Sequence, residues 1–375
     1  MIKLIKYANI RGANMKKIGI IGLGLIGGSL AKSLKSKYDD IEISAMNRSE
    51  QSLIDALADK VIDQYSLTDM SIFKDCDIVF VCTSVDKIPN YVEKLIPYIK
   101  EDCIITDVGS TKKAIYDEML KFKNIHFIGG HPMAGSEKTG YKSAKAHLFE
   151  NAFYILTPTP NVSKDMIDKM TELVKATGAV PIVLDPDYHD YTVAAISHVP
   201  HIIASALVNT VEELDDENCY MHSLAAGGFK DITRIASSSP EVWSSICNDN
   251  KGKILSVLKK FRENIENIEK ELLNDNNLYS FFDKAREYRN TFANRKPITI
   301  CTQYEIYIDI ADQPGAIAII ATILSSHNIN IKNIGIVNSR DYSEGALLIA
   351  FSEPSQREKA KEILKAMNFT VLNKE

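Results

Sequence analysis

The run GGHPMAGSEKTG, from Gly129 to Gly140, holds a histidine between two glycines and a proline, followed by Ser136 and Glu137. Taking hydride from a carbon that bears a hydroxyl needs a base for the hydroxyl proton, and a histidine titrating near operating pH suits that work. His131 follows the strand-like run IHFIG, at the edge where open α/β sheets bind ligands. Ser110, in DVGST after the run CIITDV, reaches the same edge. Its hydroxyl can orient a base and a substrate, or cap a helix, and position alone favours the cap. Further along lie His189, His198 and His201, the last two spaced to share a helix face. Three histidines raise a metal site. No H-E-x-x-H is present and Pro200 separates two of them, so the reading is no metal, with substrate carboxylate the better ligand. Lys230 and Arg234, in GGFKDITRIASSSPEVW, are cations beside a glycine pair. They can form an ion network with Asp231 or hold a carboxylate, for which arginine has the bidentate geometry.

A second site precedes these. Gly22, Gly24 and Gly27 form G-x-G-x-x-G after an apolar strand-like run, with Leu25 and Ile26 opening a helix. The glycines permit a tight turn, close approach of a pyrophosphate, and helix-on-strand packing. An NAD site usually carries Asp or Glu at the end of the next strand; here Asn47, Arg48 and Ser49 stand there. Arg48 can neutralise a 2′-phosphate or merely be a solvated residue at a helix start, so both NAD and NADP stay open.

These residues need elements to hold them. From residue 15 to about 185, β-branched runs alternate with amphipathic helices, which predicts a Rossmann-type, parallel, doubly wound α/β sheet. From 186 to 285 strand signals vanish and apolar residues recur at helical spacing, predicting an all-helical domain whose stripe serves a core or a dimer seam. Residues 286–300, polar and basic with Pro297, read as a linker. Residues 301–375 read as βαββαβ, a ferredoxin-like unit. Residues 1–14 read as an extension without assigned function.

Bulk properties narrow the class. A chain of 375 residues, 45% hydrophobic and 25% charged, has the composition of a globular protein with two or three domains. A net charge of −5 without a basic, aromatic-laced stripe argues against nucleic acid as a partner. Six cysteines without a C-x-x-C suggest a reducing compartment. No apolar run reaches the roughly 18 residues needed to span a membrane, and the N-terminus lacks a signal peptide's pattern. The expectation is a cytoplasmic protein with no membrane partner.

GLGLIGGS, DVGST, GGHPMAGSEKTG, SHVPH (197–201) and GGFKDITRIA with Trp243 together resemble the prephenate dehydrogenase family, in order, from about Met15 to Tyr288. The resemblance implies oxidative decarboxylation of prephenate to 4-hydroxyphenylpyruvate, with NAD as the family's usual cofactor, while the long apolar faces of the helical domain suggest a homodimer. It implies His131 as base, Ser110 as its positioner, and Arg234 and His201 as carboxylate ligands. His198, Lys230, Ser136 and Glu137 are assigned to the substrate pocket and its entrance. The tail from about Tyr304 to Leu372 looks like an ACT domain. Its turn Asp312-Gln313-Pro314-Gly315, with Asn328 and Ile329 after the first helix, implies tyrosine as a feedback effector. Alternatives are arogenate as substrate, a silent amino-acid sensor on the same scaffold, and a β-hydroxyacid dehydrogenase using Lys230.

Overall fold

Strand β1 (Lys17–Ile21) forms because KIGII is apolar on both faces, and a central parallel strand has both faces covered. Ile18 and Ile20 point into one core and Ile21 into another, all nearly fully buried. The computed structural model describes residues 15–38, 40–136, 138–274, 277–294, 304–310, 313–337, 346–351 and 353–372. The expected extension 1–14, Glu137 and Asp312 lie outside them, as do 295–303.

From β1 the chain runs through α1 (Leu25–Lys37), β2 (Glu42–Met46), α2 (Glu50–Ala58), β3 (Gln64–Ser66), β4 (Ile78–Val81) and α3 (Ile88–Leu95). It continues with β5 (Ile104–Asp107), α4 (Lys113–Met119), β6 (His126–Pro132), β7 (Phe153–Pro158), α5 (Lys164–Ala176) and β8 (Val180–Val183). These eight strands form one sheet in the order β3-β2-β1-β4-β5-β6-β7-β8. The sheet is not wholly parallel: β7 runs antiparallel to β6, and β8 parallel to β7. The reason lies between β6 and β7, where a 3-10 turn at Tyr141–Ser143 replaces the crossover helix that a parallel return needs.

Helices follow: α6 (Pro186–Val193), a π-helical turn at Ala194–His198, α7 (Val199–Leu214), α8 (Tyr220–Leu224), α9 (Gly227–Thr233), α10 (Pro240–Asp249), α11 (Lys251–Leu273) and α12 (Tyr279–Asn294). Asp185 caps α6 by accepting from the N–H groups of Asp187 and Tyr188, and Pro186 takes a first-turn position where no N–H is needed. The expected linker is helical as far as Asn294. Tyr288 and Phe292, one turn apart, meet edge to face, with Arg289 over the Phe292 ring.

Residues 186–214 are continuously helical, with a mean hydropathy of 1.4 in the most apolar window and 28% of that window buried. By length and composition alone this stretch qualifies as a membrane span. The expectation that no apolar stretch reaches that length is corrected here, because the histidines and Pro200 that interrupt the apolar residues do not interrupt the helix.

By Cα proximity the chain divides into two compact units, 1–294 and 295–375. The second has β9 (Tyr304–Asp309), α13 (Ala316–Ser326), β10 (Asn333–Val337), β11 (Ala346–Phe351), α14 (Pro354–Ala366) and β12 (Thr370–Leu372). Its sheet order is β10-β11-β9-β12, with every pairing antiparallel. Ile306, Ile308, Leu347 and Ile349 pack on Ile320, Leu324, Ala360 and Leu364.

Candidate active site

At the end of β1 the glycine loop is shaped for close approach. Gly22 has φ +96°, and a Cβ there would lie 2.2 Å from the Cys82 carbonyl oxygen. At Gly27 a Cβ would lie 2.1 Å from the Gly22 oxygen, whereas Gly24 faces open space. Gly24 is the N-cap of α1, and the first turn of that helix carries no acidic residue. Open backbone at a helix N-terminus suits a pyrophosphate, so these residues fit a dinucleotide. Asn47 Oδ1 accepts from the Leu23 N–H at 3.2 Å, bracing the loop from the end of β2. Arg48 and Ser49 are exposed there, Ser49 as the N-cap position of α2 without a side-chain cap bond.

His131 lies within strand β6, paired with Ile155 of β7, and not in a loop after it as the sequence suggested. The glycines and Pro132 imitate a strand end, but the antiparallel partner extends the ladder through them. Gly130 is required by the fit: a Cβ would lie 2.5 Å from the Asp107 carbonyl oxygen on the neighbouring strand. His131 Nδ1 lies 2.8 Å from Nε2 of His189, with the rings edge-on at 77°. His189 Nδ1 in turn lies 2.8 Å from Asp190 Oδ1. Burial holds His131 well below its ordinary value, with repulsion from His189, Lys112 and His198 adding to it.

Asp190 also ends the question of what caps α4. The helix begins at Lys113, so Ser110 is too early to cap it, and no side chain of its own turn does so. Asp190 Oδ1 accepts from the Lys112 N–H at 2.8 Å and Oδ2 from the Lys113 N–H at 2.9 Å. The cap therefore comes from α6, 78 residues along the chain. Ser110 is half-buried in the loop after β5, the strand beside β6.

Beneath this loop, Lys112 and Asp107 form an ion pair with side chains only 1% and 0% exposed. Asp107 also accepts from the N–H groups of Gly109 at 2.7 Å and Gly130 at 3.0 Å. Burial lowers the Lys112 ammonium, and Asp107 and Asp190 oppose that shift.

The helical residues form a second wall. His201 stacks on Trp243 with centroids 3.4 Å apart, and His198 meets the same ring edge-on at 6.0 Å. Asn250 Nδ2 donates to the Asp190 carbonyl oxygen at 2.7 Å and to His198 Nδ1 at 3.2 Å. Burial takes His198 down to about 4. His201 is lowered by burial and by Arg234, against hydrogen bonds to the Ser197 and Ile235 backbone. Its Nε2 lies 3.3 Å from Ser238 Oγ, which itself donates to the Ile235 carbonyl. Arg234 and Lys230 are exposed, and neither makes an ion pair with Asp231 among the described residues, so the ion-network alternative finds no support there. Ser136 is exposed in the loop after β6, accepting from the Lys138 N–H at 3.2 Å.

The structure thus joins His131, His189, Asp190, Lys112 and His198 into one connected group, with His201, Trp243 and Arg234 around its helical side. It leaves Lys230 and Ser136 outside that network. Sequence reading grouped His189 with the other helical histidines and passed over Asp190, Lys112, Asp107 and Asn250. The adjacent His-Asp pair following a Pro N1 was the available signal for the first two. Among the described residues no group of three His, Cys, Asp or Glu side chains could hold a metal.

In the second unit, Gln313 and Pro314 are exposed and Gly315, at φ +91°, is the N-cap position of α13. Asn328, at φ +56°, ends that helix in the left-handed region, and Ile329 is buried in the core.

Family models described as the nucleotide-binding and dimerization domains of prephenate dehydrogenase match residues 30–183 and 185–284. A prephenate dehydrogenase of Bacillus subtilis is 38% identical over 352 residues, covering 92% of this chain and 95% of the relative. One from Lactococcus lactis is 32% identical, covering 96% and 100%. The crystal structure of prephenate dehydrogenase from A. aeolicus, in complex with hydroxyphenyl propionate and NAD+, superposes with a TM-score of 0.69 at 29% identity, covering 75% of this chain and 98% of that one. Arogenate dehydrogenase of Synechocystis gives 0.65 at 29%, covering 74% and 99%. Two successive domain matches and relatives aligned along nearly their whole length show that this chain belongs to the prephenate dehydrogenase family.

Proposed function

We propose that this chain oxidatively decarboxylates prephenate to 4-hydroxyphenylpyruvate with reduction of NAD. The observation that carries the reading is the half-buried His131 ring, engaged at Nδ1 by His189, with its other nitrogen available as a base. Gly22, Gly24, Leu25, Ile26 and Gly27, with Asn47 behind them, would hold a nicotinamide dinucleotide, which would supply the hydride acceptor. His131 Nε2 takes the ring hydroxyl proton as hydride leaves the same carbon. The bond to the ring carboxylate then breaks, carbon dioxide departs, its electron pair completes the aromatic ring, and His131 returns the proton to the phenolate oxygen to give the hydroxyl of the product. Aromatisation drives the step, so the protein's work is orientation and charge placement. Ser110 orients base and hydroxyl, while Arg234 and His201 hold substrate carboxylates, with His198 and Trp243 packing behind.

Arogenate stays as a second substrate reading because the arogenate dehydrogenase structure matches at the same 29% identity as the prephenate one, with a TM-score of 0.65 against 0.69. Arg48 is the residue that would admit NADP. The dimer is a homodimer through the helical domain, whose Ile196, Leu214, Leu224 and Leu273 are 63%, 64%, 75% and 83% exposed in the single chain. We assign the protein to the cytoplasm, and the unit from Tyr304 to Leu372 to feedback control by tyrosine as an ACT domain. A silent sensor would have no use for a half-buried base and its partners. Steady-state kinetics with prephenate or arogenate, NAD or NADP, and tyrosine present or absent tests all of this. Prephenate with NAD should give the highest kcat/KM, and no reduced cofactor from either substrate would overturn the assignment.

A further inference from the structure

We propose that His189 and Asp190 are positioning residues that fix the tautomer of His131, keeping its Nδ1 protonated and its Nε2 bare. The proposal rests on the reading of His131 as the base, and it follows from counting protons along one chain of hydrogen bonds.

Both oxygens of Asp190 already receive backbone N–H groups, Oδ1 from Lys112 and Oδ2 from Lys113. A carboxylate so occupied has only acceptor capacity left, so the His189 Nδ1 at 2.8 Å is the donor. Neutral imidazole carries one N–H, and in His189 that proton is now committed to Asp190. His189 Nε2 is therefore a lone pair, and the group facing it at 2.8 Å, His131 Nδ1, must carry the hydrogen. The remaining nitrogen of His131, Nε2, is left without a proton, which is the form a general base requires. The edge-on ring geometry of 77° suits an N–H aimed at an in-plane lone pair.

The rigidity of the chain comes from both halves of the site. The α4 amides grip Asp190 on one side, and Asn250 Nδ2 grips its backbone oxygen at 2.7 Å on the other. His189 is itself 1% exposed, so water does not compete for either ring nitrogen. When Nε2 of His131 takes the hydroxyl proton, the ring becomes an imidazolium whose Nδ1–H still points at His189. The positive charge is thus drawn toward the Asp190 carboxylate, and no atom other than that one proton has moved. The arrangement resembles in logic the carboxylate that orients the histidine of a serine-protease triad, with a second imidazole interposed.

The test uses the full-length chain with 15N-labelled histidine and two-bond proton–nitrogen correlation spectra, the His131 signals being identified by their loss in His131→Asn. The wild type should show His131 with Nδ1 protonated and Nε2 bare at neutral pH. His189→Phe keeps a buried ring but removes the acceptor. It should shift His131 toward the opposite tautomer and lower kcat by about tenfold or more, with KM and dinucleotide Kd changed by less than about threefold. His189→Gln, whose amide oxygen can accept from Nδ1–H, should restore most of the lost kcat. A wild-type His131 protonated at Nε2, or a His189→Phe enzyme with unchanged tautomer and kcat, overturns the proposal. The spectra read the tautomer without turnover. A wild type inactive on both substrates therefore removes the catalytic reading, while the tautomer result separately upholds or refutes the positioning chain.

Discussion

Replacing Lys112 with methionine should expose how much the site depends on a charge that never meets solvent. The side chains of Lys112 and Asp107 are 1% and 0% exposed, so Lys112→Met leaves a carboxylate buried without its counter-ion. Breaking a buried pair from one side costs about 3–5 kcal/mol, whereas replacing both partners is often near neutral. Two N–H groups, from Gly109 and Gly130, still serve Asp107 and soften the loss. An expected destabilisation of about 2–4 kcal/mol follows, because a hydrogen bond to a charged group contributes about 1.5–3 kcal/mol. For a unit of this size that corresponds to a fall in Tm of about 5–10 °C. Differential scanning calorimetry on wild type, Lys112→Met and the double variant Asp107→Asn/Lys112→Met reads it directly. The double variant should melt above the single one, since it buries no net charge. A single variant within about 2 °C of wild type, or a double variant melting below the single one, would refute the reasoning.

Three further outcomes are expected. His131→Asn should lower kcat by at least about 100-fold while dinucleotide Kd, measured by fluorescence titration, stays within about threefold; joint loss of both would make His131 structural. His198, held to about 4 by burial, binds a proton in the unfolded chain before it does so in the folded one. Its contribution to stability is therefore full above the ordinary histidine range and is lost as pH falls toward 4, so urea titrations should show about 2 kcal/mol less stability near pH 5 than near pH 7, a difference that shrinks in His198→Gln. A chain of residues 1–294, the first compact unit, should turn over substrate but escape tyrosine inhibition, and inhibition that survives the truncation would place the effector elsewhere.

Local patterns carried much of the architecture. The glycine loop, the alternation of strands with helices to β8, and the change to helices at Pro186 are written in short-range periodicity and turn chemistry. What escaped was set by distant partners. The antiparallel course of β7 depends on the absence of a crossover helix, and His131 becomes a strand residue only because Ile155 lies opposite it. Ser110 looks like a cap in DVGST, yet α4 takes its acceptor from Asp190, a residue no local rule connects to it. The linker expected from 286 is helix to Asn294, since nothing before Pro297 forbids a helix and Tyr288 and Phe292 reward one. Of the site, His131 was legible by type and neighbours. Its partner His189 was visible as a histidine, but its hydrogen-bonding role depends on packing between α6 and the sheet.

The cap that Asp190 lends to α4 also has a meaning for recombination between relatives. The natural junction for exchanging nucleotide-binding and helical halves lies near Asp185, where β8 ends and α6 begins. A crossover there takes His131, Lys112 and Lys113 from one parent and His189, Asp190 and Asn250 from the other. Such a hybrid can keep every residue type and still misalign its base if the two parents set α6 differently against α4. A crossover after Asn250 instead transfers the whole hydrogen-bonded set from a single parent, and leaves the exchange to the outer helices.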